Sequence, residues 1–82
     1  MSVTVRYFAA ARVAAGTECE NVDVSPGTTV AELIAALGAR DAELARVLGR
    51  CSFLCDGVAV RNLTMGIAAG RSIDVLPPFA GG

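Results

Sequence analysis

Thr29-Val30-Ala31-Glu32-Leu33-Ile34-Ala35-Ala36-Leu37-Gly38 is the most regular stretch of this chain, and what lies on either side decides what it packs against. Val30, Leu33, Ile34 and Leu37 recur at i, i+3, i+4 and i+7, the spacing that lines up one apolar stripe of an α-helix. Thr29 and Glu32 stand where a capping box needs them: the hydroxyl takes a first-turn N–H and the carboxylate reaches back. Ser25-Pro26-Gly27 ahead of them is a turn signal. Gly38 is the expected C-terminal stop.

Upstream, Val3, Val5 and Tyr7 alternate with Thr4, Arg6 and Phe8, which predicts a half-buried strand over 3–8 with Phe8 on the outer face. Residues 9–16 are Ala-rich and end at Gly16, a loop with a helical turn. A second strand is expected over 18–24 with Val22 and Val24 inward, and the short link favours a hairpin. Downstream, a shorter helix is expected from Ala42 to Leu48, capped by Asp41 and stopped at Gly49. Phe53-Leu54-Cys55, Asp56-Gly57 and Val58-Ala59-Val60 read as strand, tight turn, strand, with Asp56-Gly57 serving only as the turn. Residues 61–70 are irregular. Ser72–Leu76 is the last strand, with Ile73 and Val75 on the core face and Asp74 exposed. Pro77-Pro78 then bars further ladder pairing. The order predicts an α+β domain over 1–76, a mixed sheet of four to five strands packed on one main helix with a short second helix. A flexible tail over 77–82 follows it.

Composition narrows the chemistry. The chain has 82 residues, 54% of them hydrophobic, and a net charge of −1. That is one domain with enough apolar content for a core. It carries no basic footprint for nucleic acid and no basic face for a membrane. No apolar run approaches the ~18 residues of a membrane span. There is no His, and all seven basic residues are Arg. Imidazole bases, His-held metals, lysine Schiff bases and a Walker lysine for ATP are therefore excluded. Such a chain suits a carrier, adaptor or subunit better than a complete enzyme. Met1-Ser2-Val3 opens straight into a strand pattern with no secretory signal, and three cysteines make no disulfide framework, so a reducing, cytoplasmic location is expected.

Cys51 and Cys55, if extended, have Cα atoms roughly 13 Å apart, past the ~7 Å limit of a disulfide. They are expected to be structural thiols, and three Cys without His make no zinc site. The tail is the distinctive segment. Pro77-Pro78 favours polyproline II geometry, and six residues from Pro77 to Gly82 could reach roughly 20 Å. Gly81 and Gly82 lack Cβ atoms and can thread a channel too narrow for side chains. Phe79 and Leu76 are candidate anchors for such a passage. A frayed terminus is the plain alternative.

The whole chain resembles the β-grasp (ubiquitin-like) sulfur carrier family. Val5-Arg6-Tyr7-Phe8-Ala9-Ala10-Ala11-Arg12 is similar to that family's FFAxxRE signature, with Val13 in place of Glu. Leu76-Pro77-Pro78-Phe79-Ala80-Gly81-Gly82 is similar to its PPxxGG end. Gly70-Arg71-Ser72-Ile73 departs from its usual Gly-Asp-Glu-Val. Within the family the likeness is greatest to the small subunit of molybdopterin synthase. The resemblance implies that an E1-like adenylating enzyme activates Gly82 with ATP. A sulfurtransferase persulfide then converts it to a thiocarboxylate, and the large synthase subunit holds the pterin precursor and the catalytic groups. This chain would bind no cofactor itself. The resemblance also implies that Leu54 and Leu76 point outward beside Phe8 as a docking patch, against the alternative of scattered surface hydrophobes. Pro77, Pro78, Phe79 and Ala80 would continue the contact towards Gly81 and Gly82. Arg12 would pair with an acidic partner group or remain a solvated loop arginine. Sulfur delivery to thiamine thiazole, cysteine or tRNA thiolation, conjugation to target lysines, and an inert Gly-Gly end are the other readings.

Overall fold

The computed structural model describes residues 1–78. The elements run β1 (Ser2–Tyr7), α1 (Ala10–Ala15), β2 (Cys19–Asp23), α2 (Val30–Gly38), α3 (Ala42–Leu48), β3 (Ser52–Cys55), β4 (Val58–Ala59) and β5 (Ser72–Leu76). They build one five-stranded mixed sheet in the order β2-β1-β5-β3-β4. β1 and β5 pair in parallel, and the other neighbours pair antiparallel. This is the α+β architecture that the sequence predicts.

Strand alternation fixes the core. Val3, Val5 and Tyr7 of β1, Phe53 of β3, and Ile73 and Val75 of β5 are buried on one face. The stripe Val30, Leu33 and Leu37 of α2 lies against them, joined by Leu44 and Leu48 of α3 and Ala11 of α1. Ile34 is only partly buried, at the margin of the stripe. Each fully buried aliphatic side chain contributes about 1.5–3 kcal/mol of transfer free energy.

The start of α2 is fully satisfied. The Thr29 hydroxyl accepts from Glu32 N at 3.1 Å, and Glu32 Oε1 accepts from Thr29 N at 2.9 Å. The remaining first-turn donors, Val30 N and Ala31 N, reach the carbonyls of Met65 and Leu63. The irregular segment after β4 therefore supplies two acceptors that a lone helix lacks. It also sends Ile67 into the core.

Three features of the elements and turns differ from the sequence expectation. The described residues hold three helices, because the Ala-rich stretch closes a six-residue helix where a loop with one helical turn was expected. Gly38 is the last residue of α2, and its C-cap is Ala39 in right-handed geometry. The reason for a glycine there is proximity: a Cβ on Gly38 would lie 3.2 Å from Ala45 Cβ of α3. Asp56-Gly57 does form the tight turn, with φ of 48° and 83°, but Asp56 does more than turn the chain. Its Oδ2 lies 2.6 Å from Arg71 Nη1, and its Oδ1 accepts from Ser72 N at 2.9 Å. The Arg71 guanidinium and the Ser72 amide hold the Asp56 carboxyl below its ordinary range. The irregular segment is thereby tied back to the β3–β4 turn before β5 begins.

Candidate functional site: the outer sheet face and the root of the tail

β5 is the central strand, and the chain leaves it at Leu76. Whatever pulls on the tail thus pulls on a strand held by a neighbour on each side. Pro77 is half-buried and Pro78 exposed. Pro78 lines a groove with Ala10 of α1 and Glu43, Arg46, Val47 and Arg50 of α3 and its end. Phe79, Ala80, Gly81 and Gly82, named by the sequence as tail contacts and reacting end, lie outside the described residues.

Because side chains alternate along a strand, the faces not used by the core meet on the other side of the sheet. The register places Arg6 opposite Asp74, and Asp74 opposite Leu54. One step along, past the pair Tyr7↔Val75, come Phe8 on one strand and Leu76 on the other, with Leu76 opposite Ser52. Phe8, Leu54 and Leu76 are each half-buried and share this face. The structure therefore brings together the three hydrophobes that the sequence grouped, beside the point where the tail begins.

The same face holds a charged pair that the sequence reading did not single out. Arg6 Nε lies 3.0 Å from Asp74 Oδ1, with the Arg6 side chain 52% exposed; that of Asp74, expected to be exposed, is only 14% exposed because β5 is central and Arg6 and Leu54 stand on either side of it. This is an ion-pair distance outside hydrogen-bond geometry, so the buried Oδ1 is matched by charge and has no hydrogen-bond partner. The Arg6 Cζ sits 5.3 Å from the centroid of the Phe8 ring, within cation–π range. Strand alternation already put Arg6 and Phe8 on one face; the cross-strand partner became visible only with the β1–β5 register.

Arg12 lies on α1 and pairs with Glu18 at 3.2 Å, both side chains more than half exposed. It borders a shallow groove with Arg6, Phe8, Ala9 and Cys19. Of the cysteines, Cys19 is exposed, while Cys51 and Cys55 are half-buried, and none is in a disulfide. Burial pushes the Cys51 and Cys55 thiols above their ordinary range, and Cys51 Sγ donates to the carbonyl of Val47 at 3.2 Å. Among the described residues no group of three or more His, Cys, Asp or Glu is arranged to hold a metal. Among them, too, no helix is long and apolar enough to cross a membrane.

Comparison with known proteins gives this arrangement a family. The model of the ThiS family matches residues 5–82. Crystalline SAMP1 from Haloferax volcanii is 30% identical over 100% of both chains, with a TM-score of 0.86. The small archaeal modifier protein 1 of Methanosarcina acetivorans is 26% identical over 99% of this chain and 96% of its own, with a TM-score of 0.83. One chain in the complex of subunits 1 and 2 of the molybdopterin-converting factor from Helicobacter pylori is 27% identical over 100% of both chains, with a TM-score of 0.74. No curated protein matches the chain by sequence.

Proposed function

The chain belongs to the ThiS family of β-grasp sulfur carriers, and from that premise we propose that it carries sulfur as a thiocarboxylate on Gly82 for the assembly of molybdopterin. The observation that supports this most is the extent of the family match, which runs through Pro77-Pro78 to Gly81-Gly82 and so includes the reacting end itself. A carboxylate is a poor electrophile. An E1-like enzyme with ATP converts it to an acyl-adenylate and releases pyrophosphate. A sulfurtransferase persulfide attacks the carbonyl carbon and AMP departs; a second thiol then cleaves the resulting disulfide and leaves the thiocarboxylate. The large synthase subunit takes the tail and passes the sulfur to the pterin precursor. Phe8, Leu54 and Leu76 form the docking face. The Helicobacter pylori relative, solved with its subunit 2, supports a large-subunit partner.

The two modifier proteins support a second reading, in which Gly82 is joined to amino groups of target proteins. This chain has no lysine. As a modifier it would offer no side-chain amine for building chains on itself, so conjugates would carry it singly at each site.

Intact mass after incubation with the adenylating enzyme, ATP and a persulfide donor tests the carrier reading. The wild-type chain gains the mass of one oxygen-to-sulfur exchange, and so does a folded Cys19→Ser, Cys51→Ser, Cys55→Ser chain, because no thiol of this chain holds the sulfur. Loading that disappears with the cysteines, or that persists after Gly82 is deleted, sinks it. Lysine-linked conjugates in cells without pterin sulfuration would favour the modifier.

A further inference from the structure

We propose that Arg6 is a specificity-determining residue of the docking face and that its outward guanidinium edge takes an aspartate or glutamate carboxylate of the large synthase subunit. The proposal rests on the reading of Phe8, Leu54 and Leu76 as the docking face. Three observations carry it. Arg6 stands in the middle of that face, with Phe8 two residues along the chain and Leu54 across Asp74. Its Nε lies 3.0 Å from Asp74 Oδ1, and its Cζ sits 5.3 Å from the centroid of the Phe8 ring. Its Nη atoms meet no acceptor among the described residues, and the side chain is half exposed. A guanidinium presents its five donors in a fixed fork that matches a carboxylate. Here Asp74 beside Nε and the Phe8 ring beside Cζ already hold the group, so the fork is positioned before any partner arrives.

A partner that covers Phe8, Leu54 and Leu76 also covers Arg6. Covering Arg6 strips water from guanidinium donors, and a buried donor left without an acceptor is costly. Asp74 does not meet this need, since it matches the charge at Nε without hydrogen-bond geometry. A partner surface with a carboxylate opposite Arg6 removes this penalty, and an otherwise similar apolar surface without one is rejected. Asp74 and Phe8 are positioning residues, because they act through Arg6.

The test is calorimetric titration of the large synthase subunit of the same cell with the wild-type chain and with Arg6→Ala, Arg6→Glu, Arg6→Lys, Arg6→Gln and Leu54→Asp, each checked by thermal unfolding. Arg6→Ala, Arg6→Gln and Arg6→Glu should weaken binding ten-fold or more, Arg6→Glu most. Arg6→Lys should fall between, since it keeps the charge without the fork. Changing one carboxylate of the large subunit's docking surface to Arg should restore binding of Arg6→Glu and weaken binding of wild type. Where Arg6→Glu fails to fold, Arg6→Gln, nearly unchanged in length, carries the comparison. Wild-type affinity in the Arg6 variants beside lost affinity in Leu54→Asp overturns this proposal and leaves the docking face standing. Weakening of Arg6→Glu that no large-subunit carboxylate reverses also overturns it. Undiminished binding by Leu54→Asp, or no binding by wild type, sinks the docking reading itself.

Discussion

Ala9 has φ 50° and ψ −127°, a backbone conformation in which a Cβ is crowded. It sits between Phe8, which stays on the outer face of the sheet, and α1, which crosses to the other side. The turn that separates them is thus made by a strained residue, at a cost of about 1–3 kcal/mol. Glycine would relieve the strain but adds freedom to the unfolded chain worth roughly 0.5–1 kcal/mol. Ala9→Gly should therefore raise stability by about 1 kcal/mol, read as the midpoint of urea unfolding; a lower midpoint would show that the conformation carries no strain. Tyr7 supplies a second test. Its hydroxyl donates to Glu20 Oε2 at 2.7 Å, and Glu20 Oε1 holds Arg40 at 3.0 Å, linking β1, β2 and the α2–α3 turn. Burial first, and then the bond to Glu20, push the phenol well above its ordinary value of 10.0. A folded pKa above the unfolded one gives stability that is fully present below pH 10 and is lost as pH rises towards the folded value. Cys51 and Cys55, raised from 9.0, act in the same sense and start earlier. Tyr7→Phe should lose about 1.5–3 kcal/mol at neutral pH and show a shallower fall in Tm above pH 10 than wild type. Tyr7 is the single tyrosine, so phenolate absorbance reports on it alone. Parallel Tm curves for the two proteins above pH 10 would refute the assignment.

At the scale of elements, α2 and α3 come close together at Gly38 and Ala45. Gly38→Val should push them apart and cost about 2 kcal/mol, in the range for overpacking. Ala45→Gly on that background should restore part of the loss, giving a coupling above about 0.5 kcal/mol in a double-mutant cycle. Strictly additive effects would mean that the helices do not touch there. Gly38 illustrates what a sequence discloses and what it hides. A glycine after an apolar stripe marks where a helix finishes, and α2 does finish there. It cannot say whether the reason is a left-handed turn or a neighbour, because Ala45 becomes a neighbour only after α3 folds back. The strands were legible because alternation is local: Val3, Val5, Tyr7, Ile73 and Val75 fall on the predicted face. Helix α1 was less so, being six residues long with no side-chain cap on its first turn. The Asp56 contacts to Arg71 and Ser72 span about fifteen residues of chain and follow from pairing β3 with β5, which no local pattern encodes. For the same reason Phe8, Leu54 and Leu76 could be grouped from strand parity and family likeness, whereas the Arg6–Asp74 pair between them could not.

At the scale of the molecule, the fold and the proposed chemistry are separated along the chain. The buried hydrophobic residues end with Val75 among the described residues, and the last strand ends at Leu76. The proposed docking face belongs to the sheet and is complete before Pro77. The proposed reacting carbon lies six residues later, at Gly82. A chain without Gly82 should then keep its Tm, since the removed residue lies beyond the last strand. It should also still dock, because Arg6, Phe8, Leu54 and Leu76 are untouched. It should not react, because the carboxyl carbon must come within about 3–3.5 Å of its partner and one residue withdraws it by roughly 3.3 Å. Such a chain should be a competitive inhibitor of the wild-type protein. Its inhibition constant in the adenylation assay should lie within a few-fold of the wild-type KM, wherever that KM reflects binding. Adding Leu54→Asp to the shortened chain should abolish the inhibition while sparing the fold. Inhibition that survives Leu54→Asp would place the binding energy in the tail instead of the sheet. A shortened chain that neither inhibits nor reacts would mean that Gly82 itself supplies the affinity, and that face and tail do not divide recognition from chemistry as proposed.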